Sequence, residues 1–425
     1  MKFTEMNREA LLCEYEKLCA EYDGYKAAGL SLDLSRGKPC TEQLDLSDGL
    51  LNCPLDSSDY VGEGGFDYRN YGMLTGIPEI KRIFADALGL DEKTMKIGGN
   101  SSLNLMYDAI ARYFIFGKLG EKPWSKYDKI KFICPVPGYD RHFRILETFG
   151  IEMICVDMLS DGPDMGRVEQ IAMQDDTVKG IICVPKYSNP TGITFSDKVV
   201  ERMCSMKTAA SDFTVIWDNA YAIHDFTDTP DTLACVFDIA KKHGTENRFL
   251  YFTSTSKITY PGAGVSLVSA SKPVYDEIAA HMGTQTIGHD KLNQVRHVKF
   301  LRDANGLCEM MKKQAEIVRP HFEIAEEALS VGLGGLGIAD WHNPNGGYFI
   351  SLDLMDGTAT EVFNLMKAAG VTLTSVGATY PYGKDPHDSN LRLAPTYPSL
   401  DELSKAMQVL VCTVKLVCAK KILGV

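Results

Sequence analysis

From about Asp45 to Ala270 the chain repeats one pattern: a short run of β-branched and aromatic residues, a polar or glycine-rich break, then apolar residues at helical spacing. The runs are Lys129 to Cys134, Glu152 to Val156, Gly180 to Val184, Thr214 to Trp217, Phe249 to Phe252 and Val265 to Ala270. This order predicts an α/β fold around a parallel sheet, because strands separated by helix-length segments are joined by crossovers rather than hairpins. Open parallel sheets hold ligands beyond the carboxyl ends of their strands, so the residues that follow each run are the first candidates for function. After Lys291 the pattern turns long and helical through Val331, then gives short strands around Gly347 to Leu352 and Asn390 to Leu393. The N-terminal helical stretch and Leu32 to Leu34 have no evident place in the main sheet. We therefore expect a large domain over residues 50–310 and a smaller α/β domain from residues 1–49 and 311–425.

The chain has 425 residues, 45% of them hydrophobic, which is enough for two cores. Its 44 basic and 56 acidic residues leave a formal net charge of −12. Nucleic-acid binding needs a basic stripe that displaces counterions, so this balance argues against it. It leaves room for a small anionic substrate, since a few clustered arginines dominate the field inside a pocket. The twelve cysteines are scattered, with no C-x-x-C pair to suit zinc or dithiol exchange, and most of them read as small buried hydrophobes. Lys2, Glu5, Arg8, Glu9, Glu14 and Lys17 interrupt the N-terminus, which lacks the apolar core of a signal peptide, and no stretch approaches a membrane span. These features predict a reduced, cytoplasmic protein with no membrane partner.

Three strand ends carry chemistry. Ser254-Thr255-Ser256-Lys257 follows the run Phe249 to Phe252 and places a lysine among hydroxyls. Lysine forms a Schiff base, and burial or a cationic neighbour is what makes it nucleophilic near neutral pH; a solvated loop lysine is the plain alternative. Thr214 to Trp217 runs straight into Asp218-Asn219-Ala220-Tyr221. Asp218 can hold the protonated nitrogen of a pyridine ring, with Tyr221 aimed at a phenolic oxygen of the same ring, or it can simply cap a helix. Ser188-Asn189-Pro190-Thr191-Gly192 follows Gly180 to Val184 and displays the Asn189 amide as a donor. A turn explains the proline and glycine, but not why three strand ends in one sheet each present a group suited to pyridoxal.

Two further segments complete the set. Gly98-Gly99-Asn100-Ser101-Ser102 precedes the amphipathic stretch Leu103 to Tyr113, so Gly99, Asn100 and Ser101 read as an anion site at a helix N-terminus. Cys134-Pro135-Val136-Pro137-Gly138-Tyr139 brings Tyr139 to where it can stack on a planar ring, with His142 supporting Asp218 from behind.

In chain order these motifs resemble the fold type I pyridoxal-phosphate-dependent aminotransferases of class I, from about Leu34 to Ala394. The resemblance implies pyridoxal 5'-phosphate as cofactor, Lys257 as the catalytic lysine that holds it, and Ser254 and Ser256 on its phosphate. It likewise implies Asp218 on the ring nitrogen, Asn189 and Tyr221 on the phenolic oxygen, and Tyr139 stacked on the ring. Leu34-Ser35-Arg36-Gly37-Lys38-Pro39 looks like the family's substrate-lining loop, and Tyr71-Gly72-Met73-Leu74-Thr75-Gly76 like its intersubunit tyrosine motif, implying a homodimer in which Tyr71 reaches the other subunit's site. Asn390-Leu391-Arg392-Leu393 looks like the strand whose arginine grips the substrate α-carboxylate, a task suited to a planar, two-pronged donor. Gly-Gly-Asn-Ser-Ser-Leu, the Tyr139 segment and Asp290 to His297 are similar to the bacterial subgroup Ic of aspartate aminotransferases.

The implied reaction is a ping-pong transfer of an amino group from an amino acid, aspartate or glutamate first, to a 2-oxo acid such as 2-oxoglutarate or oxaloacetate. Arg141, Arg36 and Arg69 are the arginines within or beside the cofactor-lining motifs, and Arg141 is the first choice for a distal carboxylate. An aromatic amino-acid aminotransferase, a cysteine-conjugate β-lyase and a pyridoxal-sensing regulatory domain are the rival readings; the first fifty residues carry no basic helix-turn-helix pattern. One departure stands out. The family usually has an arginine after the catalytic lysine to clamp the cofactor phosphate, and Pro261-Gly262-Ala263-Gly264-Val265 has none.

Overall fold

The computed structural model describes residues 2–425. Thirteen strands are present: β1 (Leu32–Asp33), β2 (Met95–Ile97), β3 (Lys131–Val136), β4 (Glu152–Leu159), β5 (Gly162–Pro163), β6 (Val178–Cys183), β7 (Thr214–Asp218), β8 (Phe249–Ser254), β9 (Ser266–Ala270), β10 (Ala339–Trp341), β11 (Ile350–Leu354), β12 (Val371–Thr372) and β13 (Asn390–Leu393). Eight of them form the main sheet in the order β2-β9-β8-β7-β6-β3-β4-β5. Strands β8, β7, β6, β3 and β4 run parallel. Every residue of β6, β7 and β8 is buried, as expected of strands covered by helices on both faces.

The run Val265 to Ala270 departs from expectation. It forms β9, antiparallel to both β8 and β2. The connection 255–265 is too short for a crossover helix, so the chain has to double back. Strand β2 carried no readable run of its own, because Met95-Lys96-Ile97 spans only three residues with a lysine at its centre.

The parallel strands fill in the order β3, β4 on one side and β6, β7, β8 on the other, so the strand order reverses between β3 and β6. Helices diverging from such a point leave a crevice at the strand ends. The helix Ser102–Phe116 packs one face of this sheet, contributing Leu105, Met106, Ala109 and Ile110 to a core shared with Phe132, Ile216 and Leu250. The other face is covered by Val168, Val199, Val200, Met203 and Phe237.

A second core lies around the antiparallel strands β10-β11-β13 and the parallel pair β1-β12. Leu11 and Leu18 of the helix Arg8–Ala27 join Leu352, Leu393, Leu410 and Val414 there. The helix Leu400–Leu423 starts with a reciprocal cap, Ser399 N–H donating to Glu402 at 2.9 Å and Glu402 N–H to Ser399 Oγ at 3.4 Å. The helix Ala304–Leu333 spans both cores, with Leu307, Met310 and Met311 in the first and Val318, Phe322 and Leu329 in the second. Among the described residues no helix is long and apolar enough to cross a membrane.

Candidate active site

A cavity of about 660 Å³ opens where the main sheet's strand ends face the loops of the second sheet. Asp218 is the last residue of β7 and is 3% exposed. Its Oδ2 lies 2.9 Å from Nε2 of His142, which is buried on the helix Asp140–Thr148. Its Oδ1 has no hydrogen-bond partner among the described residues. A buried carboxylate oxygen without a donor is costly, so this atom points to a donor supplied from outside the chain.

Lys257 stands in the cavity wall three residues beyond β8. Its amine lies 5.3 Å from the ring centroid of Tyr221 and 5.5 Å from that of Tyr348, two rings stacked 6.0 Å apart. Withdrawal from water by these walls pushes the ammonium pKa below the usual lysine value, and the charge of Asp218 opposes the shift. The surroundings thus favour the neutral, nucleophilic amine. Burial raises the hydroxyl of Tyr139 to about 12, so it stays protonated, and its ring packs edge to face on His142 at 5.0 Å.

The helix Ser102–Phe116 opens on the cavity through Ser101 and Ser102. Ser254 Oγ donates to Ser256 Oγ at 2.9 Å, and Ser256 Oγ to the Asn100 carbonyl at 3.3 Å. The Gly99 carbonyl accepts from the Ser266 amide at 2.7 Å, and Asn100 Nδ2 donates to the Pro261 carbonyl at 2.9 Å. Gly99 and Asn100 therefore lash the helix start to the segment that carries Lys257, while Ser101, Ser254 and Ser256 face the cavity. The loop is tight where the arginine is missing. A Cβ on Gly264 would lie 2.8 Å from Thr255 Oγ1 and 2.9 Å from the Tyr260 carbonyl, so a side chain there would force its neighbours to shift.

Arg392 lies on β13 opposite Ser351 of β11, with its side chain 9% exposed. Its Nη1 donates to Asp140 Oδ1 at 2.9 Å and to Asn189 Oδ1 at 3.4 Å, and Nε and Nη2 approach Thr374 Oγ1 at 3.4 and 3.3 Å. The guanidinium carbon sits 4.9 Å over the Phe349 ring. Gly37 passes so close to Phe349 that a Cβ would run into that ring, which explains a glycine in this loop. Arg36, Lys38 and Arg141 also line the cavity.

Gly99, Asn100 and His142 stand behind the cavity wall, and two candidates lie away from it altogether. Arg69 is bound to Asp67 at 2.6 Å and lies against Tyr60, in a separate surface cleft with Tyr71, whose side chain is 79% exposed. Sequence reasoning missed Ser102, Asp140, Phe349 and Thr374, all in the wall. Asp140 carried a readable signal, a carboxylate in the first turn of a helix beside Tyr139; Phe349 and Thr374 belong to no motif.

The residues fit pyridoxal phosphate. Asp218 Oδ1 lacks the donor that a protonated ring nitrogen offers, and a helix N-terminus with three serines suits a phosphate. The family model described as aspartate amino-transferase matches residues 6–425. The chain belongs to the aspartate aminotransferase family. It is 46% identical to the aspartate aminotransferase of Corynebacterium glutamicum over 96% of this chain and 94% of that one. An aspartate transaminase structure from the same organism superposes with a TM-score of 0.96 at 44% identity, covering 99% of each chain. The α-aminoadipate aminotransferase of Thermus thermophilus, in complex with N-(5'-phosphopyridoxyl)-L-leucine, shares the fold at 18% identity, with a TM-score of 0.75 over 92% of this chain and 93% of that one. As a member of the aspartate aminotransferase family the protein is a pyridoxal-phosphate-dependent enzyme that transfers amino groups. The match to aspartate aminotransferases along the chain does not favour the regulatory reading.

Proposed function

We propose that the enzyme moves the amino group of a dicarboxylic amino acid, aspartate or glutamate, to a 2-oxo acid, with Lys257 as proton carrier and Arg392 as the α-carboxylate site. The observation that carries this reading is the arrangement of the Lys257 amine between two aromatic walls, with the unpartnered Oδ1 of Asp218 and the guanidinium of Arg392 lining the same cavity. Bound pyridoxal phosphate supplies a ring that accepts the electron pair left on the substrate carbon when its proton departs. Asp218, held by His142, would keep a proton on the ring nitrogen of the cofactor. Tyr139 would hold the ring by stacking, and Asn189 and Tyr221 would bond its phenolic oxygen. Arg392 fixes the α-carboxylate, which sets the Cα–H bond toward Lys257. The neutral Lys257 amine takes that proton and returns it in the second step.

Ser101, Ser254 and Ser256 are assigned to the phosphate cradle, with Gly99 and Asn100 bracing it from behind and Tyr71 from a second copy of the chain completing it. The large domain is assigned to residues 50–310 and the small one to residues 1–49 and 311–425, with Gly37 and Arg392 from the small domain closing the site. Twelve free cysteines are in keeping with a reducing compartment such as the cytoplasm. For the distal carboxylate the candidates are Arg141 and Arg36, both in the cavity wall. Mixing the holoenzyme with single amino acids and following its visible spectrum tests the substrate class; aspartate and glutamate should convert it fastest. Arg141→Ala should weaken aspartate about tenfold more than alanine, the worth of one partly exposed charge-assisted contact. Equal weakening of the two would remove Arg141 from this role.

A further inference from the structure

We infer that Asp140 is the resident occupant of the carboxylate seat on Arg392, and that substrate enters by exchange with it. The inference rests on the assignment of Arg392 to the α-carboxylate and adds the residue that sets the affinity there.

Asp140 is the only charged group bonded to Arg392 among the described residues, through Nη1 at 2.9 Å. The other contacts of the guanidinium are neutral and longer, 3.3 to 3.4 Å. With a side chain 9% exposed, Arg392 needs an anion whenever the cavity holds no substrate. An incoming α-carboxylate seeks two parallel N–H donors, and Nη1 is already taken. Two carboxylates on one edge of a guanidinium repel each other, so one of them has to leave.

The surroundings of Asp140 make it the one to leave. It is the first residue of the helix Asp140–Thr148, where free backbone N–H groups and the helix dipole stabilise negative charge without Arg392. Its side chain is 30% exposed, and its Oδ2 is already 3.9 Å from Nε of Arg141, a second cation to turn toward. The other acid in the cavity wall is Asp218, committed to His142 at 2.9 Å. Phe349 beneath the guanidinium keeps its plane in place while the anions change. The consequence is selectivity. An anion that binds only through Arg392 must beat Asp140 unaided, whereas an amino acid that also engages the Lys257 side of the cavity has further contacts to do so.

Calorimetric titration of the holoenzyme with propionate, an unreactive monocarboxylate, tests the exchange. Asp140→Asn removes the competing charge but keeps the shape, and should bind propionate about tenfold more tightly, roughly 1.4 kcal/mol. Asp140→Glu restores the charge and should return the affinity toward the wild-type value. The KM for the amino acid should fall in the asparagine variant. A residue that merely props Arg392 would give the opposite sign, so unchanged or weaker propionate binding in Asp140→Asn overturns the proposal. Arg392→Gln separates the two ideas. If it weakens propionate while Asp140→Asn has no effect, only the exchange fails; if it leaves propionate binding intact, the assignment of Arg392 fails and the exchange with it.

Discussion

A lysine amine walled by two tyrosine rings has a chemistry that its sequence position alone does not give. Lys257→Ala should lower kcat by at least about 10⁴-fold, because both the covalent holding group and the proton carrier are lost. Absorbance of the purified variant should still show bound pyridoxal phosphate, since the cradle and Asp218 remain; a variant with substantial turnover would sink the assignment. The pH profile follows from the same walls. Desolvation lowers the Lys257 ammonium pKa, so the working neutral amine gains population as pH rises through a value below the usual lysine range. The acid limb of kcat, which reports the substrate complex where the lysine amine is free, should therefore lie below an ordinary lysine titration, and replacing Tyr348 by Ser should move it upward by admitting water. A limb that does not respond would mean that the tyrosine walls do not control this proton.

Element by element, the strands buried on both faces were legible as apolar runs, and their polar ends as candidate chemistry. Strand β2 was not legible, and it also holds a liability. Lys96, at its centre, is fully buried with no partner for Nζ among the described residues. Desolvation first, and then the nearby Arg112, push its pKa down to about 7. With the folded pKa depressed, the unfolded chain binds a proton that the folded chain resists between pH 7 and the ordinary lysine range. Stability at this site is therefore full above that range and is lost as pH falls toward 7. Lys96→Met should stabilise the protein at pH 7 by about 1–4 kcal/mol, and the gain should shrink toward pH 10. Urea unfolding at the two pH values and one protein concentration is the measurement. Destabilisation at pH 7 would show that Lys96 has a partner that the single chain lacks.

At the level of the whole molecule, the cradle leaves Tyr71 outside the cavity and 79% exposed. A large aromatic side chain left in solvent beside a glycine turn is explained if it completes the site of a second copy. Tyr71→Phe removes one hydrogen bond to a phosphate, worth about 1.5–3 kcal/mol, and should weaken cofactor affinity by roughly ten- to a hundredfold. Titration of the apoenzyme with pyridoxal phosphate reads this directly, and dilution that separates the copies should release cofactor from the wild type. Unchanged affinity in the variant would leave Tyr71 without a role at the phosphate.

Lys257, Asp218, Asn189 and the serine pair were readable because each sits within a few residues of a strand end, and strand ends follow from local apolar pattern and backbone preference. The glycine-rich start of the helix Ser102–Phe116 was readable for the same reason. The contact of Arg392 with Asp140 joins residues 252 apart, and that with Asn189 joins residues 203 apart. No pattern over a dozen residues encodes such a meeting. It depends on how β13, the loop carrying Phe349 and the helix Asp140–Thr148 pack together, which is settled by burial of two cores at once. The absent arginine shows both levels in one residue: the sequence states that position 264 is glycine, and only the packed Thr255 and Tyr260 show that anything larger would have to push them aside.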